Sequence, residues 1–196
     1  MTKEQTYHSL AAILSYPEEG FEKRVCLCGN LLRTNYAEVS LAFDAFESFM
    51  TQASGTEREE LFVATFDVQA VCCLDIGFVL FGEDYKRGRF LAHMKVTQEQ
   101  AKNDCGFELA DHLPNVLTLL THLSWEDGRE LVEHMVLSAL ARMIKSFGEG
   151  RNVYRDALIV IDSVLREDYD CRLTVVDLHP FKEHRDAALA EELGES

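Results

Sequence analysis

The 196-residue chain contains only three prolines and eleven glycines. A loop-rich β-sandwich needs many turns, and these two residues mark turns most strongly. Their scarcity therefore argues against that class of fold. Hydrophobic residues make up 47% of the chain and charged residues 27%. These proportions are ordinary for a globular protein, and the length is sufficient for one well-buried domain.

Basic residues are scarce as well. The 19 lysines and arginines stand against 34 aspartates and glutamates, which gives a formal net charge of −15. Because so acidic a surface repels phosphate backbones, we expect no binding to nucleic acid. The excess of acid either keeps the protein in solution or suits a basic partner.

The chain also lacks the C-x-x-C spacing of a zinc or redox site, although it has six cysteines. Free thiols in a reducing compartment are the simpler interpretation. No apolar core of a signal peptide follows the first residues. The longest apolar run is roughly a dozen residues, which is too short to span a bilayer. We therefore expect a cytoplasmic protein without stable membrane insertion.

Apolar residues recur at helical spacing along most of the chain, most cleanly from Leu131 to Phe147. This pattern predicts an all-α fold, a single helical-bundle domain of about eight helices over residues 1–170. Thr56 and Glu59 have the spacing of a capping box, and Asp84 is suited to cap a helix from Tyr85 to about Lys102. Residues 171–196 lose the pattern, so we expect a loosely attached or disordered tail.

One stretch is unusual because its most apolar segment contains an acid. Ala70 to Phe81 is predicted to be a buried helix that Gly82 ends, and Asp75 lies within it. A buried carboxylate needs a partner. A basic residue of another chain could supply that partner, and so could Arg87 or Arg89.

The segment Glu108–Pro114 follows soon afterwards and is strongly polar. Asp111 is predicted to cap a helix that starts at Leu113, with Pro114 in its first turn. Glu108, Asp111 and His112 also have a spacing that metal sites use, but they straddle a turn. The segment therefore has either a structural role or a binding role.

No catalytic motif is present: the sequence has no G-x-S-x-G, no H-E-x-x-H and no phosphate-binding glycine loop. The candidate ligands of a metal or cofactor are the cysteines and the central histidines His93, His112, His122 and His134. A metal- or cofactor-carrying helical-bundle enzyme that uses these residues is the alternative function.

Three segments resemble a known family. They read Phe62-Val-Ala-Thr-Phe-Asp67, Leu80-Phe-Gly-Glu-Asp-Tyr-Lys-Arg-Gly88 and Glu108-Leu-Ala-Asp-His-Leu-Pro114. Together they are similar to the nitrate reductase delta-subunit (NarJ-type) branch of the TorD-like chaperones, which are maturation proteins for molybdenum oxidoreductases. The resemblance covers about Leu61 to Leu123. Ala110 departs from it, because the family has a proline in the middle of its E-L-P-D-H-L-P motif.

The resemblance implies an all-helical cytoplasmic chaperone that is not an enzyme and holds no cofactor. Its partner would be the N-terminal peptide, often twin-arginine, of a molybdopterin oxidoreductase catalytic subunit. The chaperone would hold this peptide until the molybdenum cofactor is inserted, acting as a monomer or weak homodimer. A structural subunit that stays in the mature reductase is a further possibility.

A peptide that is basic and then apolar requires acidic residues beside a hydrophobic groove. We therefore predict that carboxylates face the basic residues of the client and that Phe66, Phe81 and Leu109 line the apolar side. The full set of predicted peptide-binding residues is Phe66, Asp67, Asp75, Phe81, Tyr85, Glu108, Leu109, Asp111 and His112.

Overall fold

The computed structural model describes residues 3–171. Its α-helices are α1 (Lys3–Ala12), α2 (Phe21–Asn35), α3 (Ala37–Ser40), α4 (Asp44–Gln52), α5 (Gly55–Phe66), α6 (Ile76–Phe81), α7 (Tyr85–Ala101), α8 (Leu113–Leu119), α9 (Trp125–Leu131), α10 (Leu137–Ser146) and α11 (Val153–Asp168). The described residues form no strand, which confirms the predicted all-α single domain. Apart from Cys171, the tail expected at residues 171–196 lies outside the described residues.

The core is built around α11, which packs against α3, α4 and α10. Its inward residues recur at helical spacing and are fully buried; they include Tyr154, Leu158, Ile161 and Leu165. At the other end of the chain, α1 packs against α2 and α8. The apolar residues that recur at helical spacing in the sequence are therefore the residues that pack between the helices.

The helix starts agree only in part with the predictions. Asp84 caps α7 as expected, because its side chain accepts a hydrogen bond from the Lys86 amide at 2.9 Å. The capping box lies two residues earlier than predicted: it pairs Ser54 with Glu57, so the choice of Thr56 and Glu59 was wrong. Both pairs have the same spacing, and the sequence pattern alone does not separate them.

The predicted helix over Ala70 to Phe81 is also wrong in its first half. Only α6, the second half, is helical, although it does end at Gly82 as expected, with a φ of 58°. The Leu74 carbonyl and the Ile76 amide form hydrogen bonds with Leu113 and Asp111 instead of within a helix. Pairing between two distant segments of the same chain has therefore replaced helical bonding immediately before α6.

The long stripe from Leu131 to Phe147 is helical, but it is not a regular α-helix throughout. A π-helical segment, Val132–Val136, joins α9 to α10, and a 3-10 segment, Leu41–Phe43, joins α3 to α4. Among the described helices, none is both long enough and apolar enough to cross a membrane.

Candidate functional site

Asp75 and His112 form the contact at the centre of the candidate site. The Leu113 amide donates to the Leu74 carbonyl at 2.9 Å, and the Ile76 amide donates to the Asp111 carbonyl at 3.1 Å. These two bonds flank an isolated antiparallel bridge between Asp75 and His112. In such a pair the two side chains lie close together on one face.

The side chains of this bridge meet directly. His112 Nδ1 lies 3.0 Å from Asp75 Oδ1, and the two side chains are 18% and 22% exposed. Asp75 therefore has a partner, as predicted, and this partner belongs to the same chain. That partner is His112, whereas the predicted partners were Arg87, Arg89 or a basic residue of another chain.

Asp111 is almost completely buried, with 1% of its surface exposed. Its Oδ2 accepts a hydrogen bond from the Gly77 amide at 2.7 Å. The prediction that Asp111 caps its own helix was wrong: His112 is the N-cap residue of α8, without a side-chain cap bond. Asp111 instead satisfies an amide in the first turn of α6, where helix amides lack partners of their own.

The charge of Asp111 is unfavourable in this position. Burial raises the pKa of its carboxyl group and the nearby Asp75 raises it further, while the Gly77 amide and Arg87 lower it. Its second oxygen, Oδ1, is buried and has no hydrogen-bond partner among the described residues. A buried oxygen without a partner costs free energy, which offsets part of the stabilisation from the bond to the Gly77 amide.

Gly77 makes this arrangement possible because it has no Cβ atom, and a Cβ atom would be crowded at this position. A Cβ atom at this position would lie 2.7 Å from Asp111 Oδ2 and 2.9 Å from the Phe90 ring. Gly77 is not among the residues predicted from the sequence. Its one signal was a glycine within an otherwise apolar run.

The far end of α6 is fixed by Arg142, which is also absent from the residues predicted from the sequence. The Arg142 guanidinium donates to the carbonyls of Val79 and Leu80 at 3.1 and 2.8 Å. Helix α6 is thus held at its start by Asp111 and at its end by Arg142. No short-range signal could reveal either contact, because both partners are distant in sequence.

The faces of α6 differ in exposure. Phe81 packs edge-on against Phe90, with ring centroids 6.0 Å apart. Phe78 is 39% exposed, and the Arg87 guanidinium lies 5.0 Å from the centre of its ring. Phe78 of α6 is therefore partly exposed to solvent, close to the Asp75–His112 bridge at the start of the helix.

The Glu108–Leu109 segment leads into the bridge and is exposed. Glu108 lies at the surface, and Leu109 is 38% exposed. The Asn115 side chain donates to the Leu109 carbonyl at 2.9 Å, and the Gln98 side chain donates to the Ala110 carbonyl at 2.9 Å. An acidic and an apolar side chain are thus displayed on a backbone that is held in place.

The remaining predicted residues lie in two other places. Tyr85 is 71% exposed at the start of α7. Phe66 packs on Tyr154 with ring centroids 4.7 Å apart, and Asp67 follows it at the exposed end of α5. The structure thus brings Asp75, Asp111 and His112 into contact, whereas the contacts of Phe66 join it to α11.

The described part of the chain contains no group of three or more histidine, cysteine, aspartate or glutamate side chains placed to hold a metal ion. Burial raises the pKa of the Cys72 thiol to about 12 and raises that of Cys73. Thiols with a raised pKa are weak nucleophiles and weak metal ligands near neutral pH.

Comparisons with known proteins extend the resemblance beyond the three motifs. No family model matches the sequence. Over 171 residues the chain is 28% identical to the probable nitrate reductase molybdenum cofactor assembly chaperone NarJ of Bacillus subtilis (strain 168). The alignment covers 82% of this chain and 88% of that protein. The resemblance to the NarJ-type family, drawn from residues 61–123, is thereby confirmed along most of the chain.

Proposed function

We propose that this protein is an assembly chaperone for a molybdenum oxidoreductase. It binds the N-terminal peptide of the catalytic subunit in the cytoplasm and releases the subunit after the molybdenum cofactor has been inserted. The similarity to a relative named as a nitrate reductase molybdenum cofactor assembly chaperone supports this class of function. It also makes a nitrate reductase catalytic subunit the first client to test.

The observation that carries the proposal is the bridge between Asp75 and His112. It connects the start of α6 to the Glu108–Leu109 segment, so acidic and apolar side chains are displayed on neighbouring backbone. A basic-then-apolar peptide requires this combination of groups. The net charge of −15 favours a basic partner over long range.

Within the proposed site the predicted residues have two different roles. Glu108, Leu109 and Asp75 reach the surface and contact the peptide. Asp111 is buried and positions α6 through the Gly77 amide, so its carboxylate acts on the peptide only indirectly. Phe81 and His112 support the same backbone, and Tyr85, Phe66 and Asp67 extend the surface if the peptide is long enough to reach them.

An apolar contact at this site is expected to contribute at least as much affinity as a charged pair. A charged pair at an exposed surface contributes about 0.2–1 kcal/mol. Full burial of a leucine side chain contributes about 1.5–3 kcal/mol. Because 38% of Leu109 remains to be buried, its share is roughly 0.6–1.1 kcal/mol, or a three- to sixfold change in Kd.

Calorimetric titration with a synthetic N-terminal peptide of the client tests the proposal. Leu109→Ser is expected to weaken binding about three- to sixfold at any salt concentration. Glu108→Gln is expected to weaken it up to about fivefold at low salt, with the effect fading as salt screens the charges. Glu60→Gln, which removes an exposed carboxylate from α5, is the matched control and leaves the affinity unchanged.

The two roles can be separated with Asp111→Asn. The amide oxygen of asparagine still accepts from the Gly77 amide while the charge is lost, so peptide affinity is expected to stay within about twofold of the parent. If Leu109→Ser and Glu108→Gln both bind like the parent, the peptide site lies elsewhere. If the parent binds no client peptide at all, the proposed function is wrong.

A further inference from the structure

The Arg87 guanidinium of α7 lies over the partly exposed ring of Phe78 on α6. Its central carbon is 5.0 Å from the centre of that ring, and Phe78 is 39% exposed. The face of an aromatic ring carries partial negative charge and therefore attracts a cation. One basic side chain of the protein thus covers an aromatic ring close to the Asp75–His112 bridge.

Arg87 is held loosely in this place. Its Nη1 lies 3.7 Å from Glu83 Oε1, which is too long for a hydrogen bond, and the Glu83 side chain is 85% exposed. Within the described part of the chain, Arg87 has no other ion-pair partner. Arg142, in contrast, donates to two carbonyls of α6 at 2.8 and 3.1 Å. Arg87 is therefore much easier to displace from α6 than Arg142 is.

The stability of α7 does not explain an arginine at this position. The helix starts at Tyr85, so Arg87 lies in its first turn. The N-terminal end of a helix carries a partial positive charge, which disfavours a basic side chain there. The reason for this arginine is therefore to be found in its surroundings outside the helix.

Those surroundings are acidic. Asp75 and the buried Asp111 lie at the start of α6, and Glu83 follows soon after its end. Arg87 lowers the pKa of Asp111, which burial raises, so the two charges act on each other. The space over the Phe78 ring beside Glu83, which we name the cation position, thus combines an aromatic face with negative charge. Both features favour a cation.

We propose that Arg87 occupies the place that a basic side chain of the client peptide takes on binding. This inference rests on the proposed function. A basic side chain of the peptide can replace Arg87, because one cation is exchanged for another over the same ring. A neutral side chain cannot compensate for the lost contact, so Arg87 stays in place. Arg87 thereby makes the site selective for basic peptides and covers the Phe78 ring in the free protein.

Calorimetric titration of the parent and Arg87→Gln with two peptides tests the inference. One is the synthetic N-terminal peptide of a nitrate reductase catalytic subunit, and the other has citrulline, a neutral isostere of arginine, in place of each basic residue. Glutamine leaves the cation position open, so the basic peptide no longer displaces a cation. We expect it to bind Arg87→Gln about three- to tenfold more tightly than the parent. The citrulline peptide should bind both proteins equally.

Two further variants serve as controls. Arg89→Gln removes the same charge from an exposed position of the same helix. Two residues along a helix correspond to more than half a turn, so the Arg89 side chain points away from that of Arg87. Arg87→Lys keeps a cation in the original position. Both variants are expected to bind the basic peptide like the parent at physiological salt, where distant charges are screened.

Argininamide tests the cation position without any client. Phe78→4-fluorophenylalanine labels the ring, and the fluorine resonance responds to a cation placed over it. We expect argininamide to shift this resonance when Arg87→Gln is also present and to leave it unchanged when Arg87 is retained. Citrullinamide, the neutral counterpart, should shift it in neither protein.

Basic-peptide affinity that is equal or weaker in Arg87→Gln overturns the inference, and the weaker result would mean that Arg87 supports the structure of the site. The same gain in Arg89→Gln, or with the citrulline peptide, also overturns it, because general charge or uncovered apolar surface would then be the cause. An argininamide shift as large with Arg87 present as without it does so too. All of these outcomes leave the proposed function intact. If none of the proteins binds the basic peptide, the proposed function is wrong and the inference fails with it.

Discussion

Gly77 offers the sharpest test of how α6 is held, because the same substitution should have opposite effects at two positions. Glycine to alanine within a helix ordinarily stabilises a protein by about 0.5–1 kcal/mol. Gly88 of α7 has open space around its Cα, with no atom within 4 Å of a Cβ placed there. Gly88→Ala is therefore expected to stabilise the protein by that amount.

Gly77→Ala should behave differently. Its new Cβ would lie 2.7 Å from Asp111 Oδ2 and 2.9 Å from Phe90 Cδ1, both closer than packed atoms tolerate. Forcing one extra carbon into a close-packed site costs about 1–3 kcal/mol. The two variants gain similar helix propensity, so Gly77→Ala should be less stable than Gly88→Ala by about 1–3 kcal/mol.

Urea unfolding of the parent and both variants measures this difference, since small domains usually unfold in one cooperative step. In a thermal melt the same difference corresponds to roughly 2–12 °C in Tm for a chain of this size. If Gly77→Ala is as stable as Gly88→Ala, the contact between Asp111 and the first turn of α6 does not exist as described.

Three further outcomes are expected. Burial raises the pKa of Asp111, so the folded protein binds the proton of this carboxyl group more tightly than the unfolded chain does, and the resulting stabilisation is present at low pH and lost as the pH rises from about 4 through the raised pKa. The stability of Asp111→Asn relative to the parent should therefore rise over that pH range. A constant difference between the two proteins in urea titrations would contradict this. Arg142→Met removes the hydrogen bonds to the carbonyls of Val79 and Leu80, so the hydrogen-exchange protection of α6 should fall by about 1 kcal/mol. Unchanged protection would mean that Arg142 does not hold the end of this helix. Tyr7→Phe should cost about 1–2 kcal/mol in urea unfolding, since the buried hydroxyl donates to Asp168 at 2.7 Å; a neutral effect would mean that this bond contributes nothing.

The elements that the sequence predicts well are those with local causes. Asp84 caps α7 because its side chain reaches an amide two residues away, and Gly82 ends α6 because glycine adopts a positive φ. The buried stripe of α11 follows from its apolar spacing. In each case the physical cause lies within a few residues of the effect, so a sequence pattern carries it.

The elements that the sequence misses depend on distant residues. Asp111 accepts from Gly77 across 34 positions of the chain, and Arg142 reaches the end of α6 across more than 60. Asp75 pairs with His112 across 37 positions, and the backbone beside it pairs across the same gap instead of continuing α6 toward Ala70. Tertiary contacts of this kind override local propensity, and no pattern within a short window contains them.

In the candidate site, too, some features could be predicted from the sequence and others depend on the fold. Its residues were identified because their types suit a basic-then-apolar peptide, and the segment containing Glu108 and Leu109 is exposed as that function requires. The distinction between surface residues and the buried Asp111 depends on the fold.

The molybdenum content of the client is the most direct test of the central claim. The catalytic subunit would be purified from cells that contain this protein, from cells that lack it, and from cells that carry Leu109→Ser together with Glu108→Gln. We expect molybdenum close to one atom per subunit in the first case, little or none in the second, and an intermediate amount in the third. Full molybdenum content in cells that lack the protein would contradict its role as an assembly chaperone.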